Sequence, residues 1–151
     1  MNRPHAVLAT AVTLAASSTV PGAQSAPQTP QEVVSSFHKA LARGDSATAL
    51  ALMDSDVIIY EGGGVESSRD EYRAHHLGAD IAFAGNTKRE VLATTTTESG
   101  DVAWVISTSR TSGTFRERDI RSRGAETMIL RKTDEGWRIV HIHWSSRSER
   151  R

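Results

Sequence analysis

Two histidines near the end of the chain, His141 and His143, have the residue type and the spacing to carry chemistry. They lie in the β-prone run 140–144 (VHIHW), and successive side chains of a strand alternate between its faces, so both imidazoles project from one face. Such a pair can bind a ligand or transfer a proton; the alternative is a structural role, as hydrogen-bonded histidines in a dimer face or cone wall. We predict ligand contacts here. We predict no metal site, because zinc requires a third and a fourth ligand.

A third histidine, His76, lies four residues before Asp80 in a predicted helix. Residues at this spacing are neighbours on a helix surface, and a carboxylate bonded to an imidazole fixes its tautomer and raises its basicity. We therefore predict His76 and Asp80 as the catalytic acid/base pair, with Tyr72 on the same helix face as a ligand contact. His141 or His143 would face them from the sheet. The alternative is a pair that only stabilises the helix.

Four further residues are candidate ligand contacts. Tyr60 and Glu61 end a short strand, and because adjacent side chains point to opposite faces, at most one of them faces an interior. Trp104 and Arg110 share one face of a later strand. An arginine among apolar neighbours requires an acidic partner or an anionic ligand. Trp104 is more typical of a packed core than of a ligand platform.

The elements that must position these residues follow from periodicity and from capping residues. Apolar residues spaced by three and four predict helices, and β-branched runs with alternation predict strands. Helices gathered in the first half and a strand meander in the second predict an α+β fold, with helices on one face of an antiparallel sheet. A break at Gly78 is possible within the third helix. The predicted helices are 31–43, 47–53 and 69–83, and the predicted strands are 57–60, 90–98, 102–115, 125–133 and 137–145, with a charged loop at 116–124.

The amino terminus has the pattern of a secretory signal peptide. Arg3 precedes an apolar stretch of 11 residues, 6–16, which is too short to span a bilayer, and small residues follow it. We predict a signal peptide over 1–23, with cleavage after Ala23 or Ala26, and therefore export to the periplasm or the exterior. A linker (24–30), one domain (31–147) and a frayed tail (148–151) complete the chain. The chain has no cysteine, so no disulfide can stabilise the domain.

Composition excludes several classes of function. Basic and acidic residues number 18 each, so the chain lacks the positive charge of a nucleic-acid-binding protein. Outside the amino terminus no apolar stretch reaches membrane-spanning length, so we predict no membrane span. The glycine triplet 62–64 is not followed by Lys and Ser or Thr, so it is not a phosphate-binding loop. We predict no cofactor.

The order of elements resembles the nuclear transport factor 2-like superfamily, which includes SnoaL-like and ketosteroid isomerase-like proteins. The C-terminal hairpin, with its runs 126–128 (ETM), 134–137 (DEGW) and 140–146 (VHIHWSS), is similar to the closing hairpin of calcium/calmodulin-dependent kinase association domains. The resemblance covers about residues 31–147. It implies a cystatin-like cone, in which a curved antiparallel sheet wraps around three N-terminal helices.

The resemblance also implies a function for the cone. Cone domains bind small molecules or catalyse reactions, and their outer sheet face commonly forms dimers. The kinase association domains hold carboxylates with arginine; Met128 stands at what looks like one such position, which leaves Arg110. We therefore predict an exported homodimer that binds a small molecule in its cone. The alternatives are an acid/base enzyme (an isomerase, dehydratase or hydrolase) that uses cone histidines, and an assembly module without pocket chemistry.

Overall fold

The computed structural model describes residues 28–149, which form four helices and six strands. The helices are α1 (Pro30–Arg43), α2 (Ser46–Ala51), α3 (Arg69–His75) and α4 (Leu77–Asn86). The strands are β1 (Met53–Glu61), β2 (Gly64–Glu66), β3 (Thr87–Ser99), β4 (Val102–Phe115), β5 (Arg118–Thr133) and β6 (Gly136–Ser148). The predicted signal peptide, residues 24–27 of the linker and residues 150 and 151 of the tail lie outside the described residues.

Helix α1 begins and ends where the sequence predicts. Thr29 is its N-cap and forms a capping box with Glu32, in which each side chain bonds the other residue's backbone N–H. Gly44 ends the helix in the left-handed conformation, with φ of 73°, which glycine adopts without steric cost. These two signals fix where α1 begins and ends, and its apolar stripe determines which face is buried.

The six strands form one curved, unclosed sheet in the order β2-β1-β6-β5-β4-β3. All neighbouring strands are antiparallel except β1 and β6, which are parallel. The predicted α+β class and the helices on one sheet face are confirmed. The predicted order missed β2 and the parallel pair, because β2 has three residues and strand pairing between distant segments leaves no local signal.

Two local predictions are wrong. The charged segment 116–124 is not a loop, because β5 already begins at Arg118 and pairs with the end of β4. The turn consists of Arg116 and Glu117, both with positive φ, of 50° and 62°. Their charged neighbours lie on an exposed hairpin, where water solvates them and a strand is still possible. The third predicted helix breaks into α3 and α4 at His76, and not at Gly78.

The core lies between α1 and the concave face of the sheet. The apolar stripe of α1 is fully buried there, and each large side chain of this kind contributes roughly 1.5–3 kcal/mol. The opposing sheet residues include Val105, Met128, Leu130, Ile139 and Ile142. Met128 is 0 % exposed within this core and does not line the cavity described below. Among residues 28–149, no helix is long and apolar enough to cross a membrane.

Candidate functional site

A cavity of about 840 Å³ lies between α1, α4 and the concave face of β3–β6. This volume falls in the range of small-molecule sites, which is about 300–1,000 Å³. The helices line it with apolar groups, among them Val34, Leu41 and Phe83, and also with polar ones such as His38 and Lys39, whereas most of the sheet residues that line it are polar. The cavity therefore has a polar wall on the sheet side and a wall of mixed polarity on the helix side.

A buried carboxylate, Glu126 on β5, organises the polar wall. Its Oε2 accepts a hydrogen bond from Trp144 Nε1 at 2.7 Å and is paired with His38 Nε2 at 2.7 Å. Its Oε1 accepts hydrogen bonds from Ser107 Oγ at 3.1 Å and from Arg89 Nη2 at 3.3 Å. Arg89 Nη2 also donates to Ser107 Oγ at 3.0 Å. We call these five residues the Glu126 cluster; all of them line the cavity.

The cluster determines the protonation of Glu126 and the tautomer of His38. Burial alone would raise the pKa of Glu126, but the hydrogen bond and charge of His38, the charge of Arg89 and the Trp144 bond lower it to about 2. An ionised carboxylate can only accept hydrogen bonds, so the proton of His38 is on Nε2. In the neutral imidazole, Nδ1 is then an acceptor.

Two more carboxyl groups lie at the α4 end of the cavity. Asp80 Oδ2 accepts a hydrogen bond from the Tyr72 hydroxyl at 2.8 Å. Burial raises the pKa of Asp80 above its ordinary value, despite the opposing effects of Tyr72, His76 and His38. Burial and the nearby Asp80 charge also raise the pKa of Glu61. Tyr72 itself is fully buried, and burial with the Asp80 charge raises its pKa, so its hydroxyl stays protonated and donates.

The predicted hydrogen bond between His76 and Asp80 is not formed among the described residues. His76 Nδ1 instead makes a short contact with Glu66 on β2, and His75 Nδ1 lies 3.2 Å from the other oxygen of that carboxylate. The Asp80 N–H still bonds the His76 carbonyl oxygen at 3.0 Å, but His76 lies at the break between α3 and α4 with φ of −114°, and its ring is turned towards Glu66. His76 lines a small crevice beside the cavity, together with Glu61 and Tyr72. Its catalytic role remains a prediction.

The two strand histidines lie on the convex face of the sheet, outside the cavity lining. Their rings pack edge-on against Tyr60, with centroids 5.3 and 6.5 Å apart. His141 Nδ1 lies 2.9 Å from the carbonyl oxygen of Ile58 and donates to it. The expected convergence of His141 or His143 with His76 and Asp80 is therefore wrong, because the alternation of β6 turns both histidines away from the helices.

Trp104 and Arg110 also lie on the convex face, since their neighbours Val105 and Ser109 face the cavity. Arg110 pairs with Glu149 at 3.4 Å, so its acidic partner is a neighbouring side chain. A cavity contact by Tyr60, Trp104 or Arg110 is thus not formed. Of the predicted cavity residues, the structure brings Asp80, Glu61 and Tyr72 together.

Sequence reasoning missed the Glu126 cluster. One signal was available: Glu126 stands in the same strand phase as Met128 and Leu130, where a carboxylate among buried residues needs partners. Nothing in the sequence indicated which partners, because His38 is 88 residues away along the chain. Among residues 28–149, no group of three or more His, Cys, Asp or Glu side chains could hold a metal ion.

Comparison with known proteins places this geometry in a wider group. A family model described as SnoaL-like domain matches residues 31–148. A solved structure of a candidate ketosteroid isomerase from Shewanella frigidimarina is 38% identical, covers 76% of this chain and 92% of its own, and superposes with a TM-score of 0.74. No match was found among curated proteins.

Two more distant structures share the fold. The CaMKII hub of S. rosetta is 22% identical, with 81% of this chain and 100% of its own covered and a TM-score of 0.68. A candidate dehydratase of the NTF2-like family from Streptomyces avermitilis is 21% identical, with 79% and 94% covered and a TM-score of 0.64. The predicted resemblance to the nuclear transport factor 2-like superfamily and to association domains is confirmed.

Proposed function

Because this chain belongs to the family of SnoaL-like domains, we propose that it binds a small organic molecule in the cavity between its helices and its sheet. The cavity itself carries this proposal. Its volume of about 840 Å³ would accommodate a ligand of moderate size, and it combines apolar groups, such as Val34, Leu41 and Phe83, with fixed polar groups. Such a combination lets an organic molecule bury apolar surface while the polar groups fix its orientation.

A matched pair of α4 variants tests cavity binding. Both alanines are exposed on α4, but Ala79 lines the cavity and Ala82 does not. The probe is anilinonaphthalene sulfonate, an apolar anionic dye whose fluorescence rises in apolar surroundings. We expect Ala79→Phe to weaken dye binding at least about tenfold by occupying the cavity, and Ala82→Phe to leave it unchanged. Equal binding by both variants would place the dye elsewhere and remove the support for cavity binding.

Native mass spectrometry of protein purified from its source cells can identify the natural ligand. A co-purified molecule that is present in the wild type and the Ala82→Phe variant, and lost in Ala79→Phe, would be a cavity ligand. A molecule retained by all three proteins would not be.

A second candidate function is proton transfer, and the carboxyl pair Asp80 and Glu61 favours it. Both carboxyl groups line the cavity and both have a raised pKa, which brings an acid or base closer to neutral pH. Related structures include a candidate isomerase and a candidate dehydratase, and both names describe reactions that move protons. In this version of the enzyme hypothesis Tyr72, rather than His76, is the group bonded to Asp80.

Deuterium exchange can test proton transfer without a known substrate. Carbonyl compounds, including a ketosteroid, are incubated with the protein in heavy water, and exchange next to the carbonyl is followed by NMR. We expect Asp80→Asn to abolish any catalysed exchange and to retain dye binding. Exchange that persists in this variant would exclude Asp80 as the base, and Glu61→Gln would then be the variant to compare.

We also propose that two copies pair through the convex sheet face. Ile58, Tyr60 and Ile106 are 41%, 45% and 45% exposed there, which is unusual for large apolar side chains on one face. Fold relatives named as a hub and as an association domain support assembly of this fold. Assembly alone, without pocket chemistry, remains the alternative use of the domain.

Export is a further proposal and depends on the signal-peptide pattern of residues 1–23. Expression of the full chain in a bacterial host, followed by intact mass measurement of the exported protein, tests it. The expected amino terminus is Gln24, or Pro27 if cleavage follows Ala26. Full-length protein retained in the cytoplasm would contradict export.

A further inference from the structure

Three hydroxyl groups lie side by side on the polar wall of the cavity. Ser109 and Thr111 follow Ser107 at two-residue intervals on β4, so they face the same side. Ser122 on β5 is the pairing partner of Thr111 in the sheet register. We call Ser109, Thr111 and Ser122 the hydroxyl strip. It extends from the Glu126 cluster towards the β4–β5 turn, where Arg116 also lines the cavity.

None of the three hydroxyl groups has a hydrogen-bond partner among residues 28–149. Ser109 is the informative one, because it is only 7% exposed. In this part of the chain, every side-chain oxygen or nitrogen that solvent cannot reach has a hydrogen-bond partner. Ser109 Oγ has no partner there, so it must be accessible from the cavity. Nearly buried polar groups normally have partners, and a group left open in a cavity wall can bond a ligand or a water.

Only one nitrogen of the adjoining Arg89 guanidinium group forms hydrogen bonds with other side chains in the described part of the chain. Its Nη2 is held by Glu126 and Ser107, whereas Nε and Nη1 have no hydrogen-bond partner among the described residues. A guanidinium group has five N–H donors, so up to three of them remain available. Fixed guanidinium donors of this kind favour a negatively charged oxygen.

Among the described residues, the lining contains three Lys or Arg and three Asp or Glu side chains, and its cations can pair with an anion. Lys39, Arg89 and Arg116 supply three cations to the cavity wall. Of the three carboxyl groups in the described lining, Glu61 and Asp80 lie at the α4 end, and burial raises the pKa of both. Glu126 is neutralised locally by Arg89 at 3.3 Å.

We propose that the polar wall of the cavity binds a small polyhydroxylated organic acid, with its carboxylate at Arg89 and its hydroxyl groups on the hydroxyl strip. This inference names the ligand class of the proposed binding function and rests on that function. An apolar ligand would cover the strip without bonding it, and each covered, unpaired hydroxyl would weaken binding because its hydrogen bonds to water are lost. A ligand with several hydroxyl groups avoids that cost.

Three probes of similar size separate the contributions: gluconate, sorbitol and hexanoate. Gluconate has both the hydroxyl groups and the carboxylate, sorbitol has hydroxyl groups alone, and hexanoate has the carboxylate alone. Affinities are measured by calorimetry and by displacement of anilinonaphthalene sulfonate from the full-length protein. We expect gluconate to bind at least about tenfold more tightly than either comparator, since a charged hydrogen bond contributes about 1.5–3 kcal/mol.

Variants of the wall and of the opposite sheet face provide matched controls. Arg89→Lys keeps a charge beside Glu126 and removes the free guanidinium donors, so gluconate affinity should fall about tenfold or more. Ser109→Ala should weaken gluconate about threefold to tenfold and leave hexanoate unchanged. The convex-face variants Thr108→Ala and Arg110→Lys should change neither affinity. Circular dichroism and thermal unfolding establish that each variant is folded.

The outcomes separate this inference from the function on which it rests. If the dye enters the cavity and gluconate does not displace it, or binds equally well to Arg89→Lys, the ligand class is wrong and cavity binding stands. If the dye and all three probes bind without regard to Ala79→Phe, the cavity is not the site and the proposed function itself fails.

Discussion

Glu126 is ionised in a place that water barely reaches, because four protein donors replace its hydration shell. A carboxylate buried without such partners would take up a proton instead. The bonds to His38 and Arg89 also fix these two side chains, so Glu126 determines the position of two other groups of the cavity. Its charge is therefore connected both to stability and to binding.

The stabilising effect of ionised Glu126 should be lost at low pH. Its folded pKa of about 2 lies below the ordinary 4.5, so its contribution is complete above about pH 4.5 and is lost as the pH falls towards 2. The free energy of unfolding should decrease by about 3 kcal/mol from this group over that window. Urea unfolding at several pH values measures it. Glu126→Gln should lack this decrease; an unchanged acid dependence in the variant would contradict the assignment.

The ionised carboxylate of Asp80, unlike that of Glu126, should lower the free energy of unfolding. Burial raises its pKa above the unfolded value, so its ionisation opposes folding above the folded pKa, and this cost disappears below the unfolded pKa. Asp80→Asn cannot ionise, and its amide oxygen can still accept from Tyr72. The variant should therefore be more stable than the wild type at pH 8, and the difference should shrink towards pH 4.

Tyr72→Phe is the control for this prediction. It removes the hydrogen bond at 2.8 Å and should cost about 1 kcal/mol or more at either pH. If Asp80→Asn is less stable than the wild type at pH 8, the carboxylate is stabilising and the predicted sign is wrong. Urea midpoints at the two pH values distinguish these results.

At the scale of elements, Gly113 holds the end of α4 against β4. It pairs with Thr87, its φ is 149°, and a Cβ there would lie 2.7 Å from the Asn86 carbonyl oxygen. Gly113→Ala should destabilise the fold by about 1–3 kcal/mol, because backbone must shift to make room. Gly136→Ala is the control, since Gly136 also has a positive φ, of 104°, but open space around it. Equal losses would show that φ, rather than the close approach, sets the cost.

The elements were predictable where the signal is local. Helix α1 was identified by its cap and its stripe, and β4 by its alternation, and both agree with the structure. The start of β5 was missed because its charged residues resemble a loop, and the turn uses positive φ at Arg116 and Glu117 without glycine. The break at His76 has no capping residue in the sequence to announce it.

The site was predictable only in part, for a related reason. Asp80 and Glu61 are recognisable as carboxyl groups near apolar segments, and the structure brings both to the cavity. His38 and Arg89 were missed because their partner Glu126 is 88 and 37 residues away along the chain. Pairing between such distant residues depends on strand register and helix rotation, which one sequence does not specify.

At the scale of the whole molecule, the convex sheet face is expected to control the oligomeric state. Ile106 lies in the exposed part of that face, so Ile106→Glu would place a charge in the proposed contact between copies. The mass measured by analytical ultracentrifugation should then fall from that of a dimer to that of a monomer, which is 16.4 kDa for the full chain. Ala82→Glu on α4 is the control and should remain dimeric. A wild type that sediments as a monomer would contradict pairing.

Strand β6 lies between β1 and β5, although it is the last strand of the chain. The concave wall therefore stays divided until residues 136–148 have left the ribosome, because translation proceeds from the amino terminus. Its pairing with β1 brings together segments as far apart as Ile58 and His141, which are separated by 83 positions, and closure of such long loops is slow. A nascent chain would thus stay open until β6 is available for pairing. A protein threaded through a translocation channel before it folds would benefit from this delay.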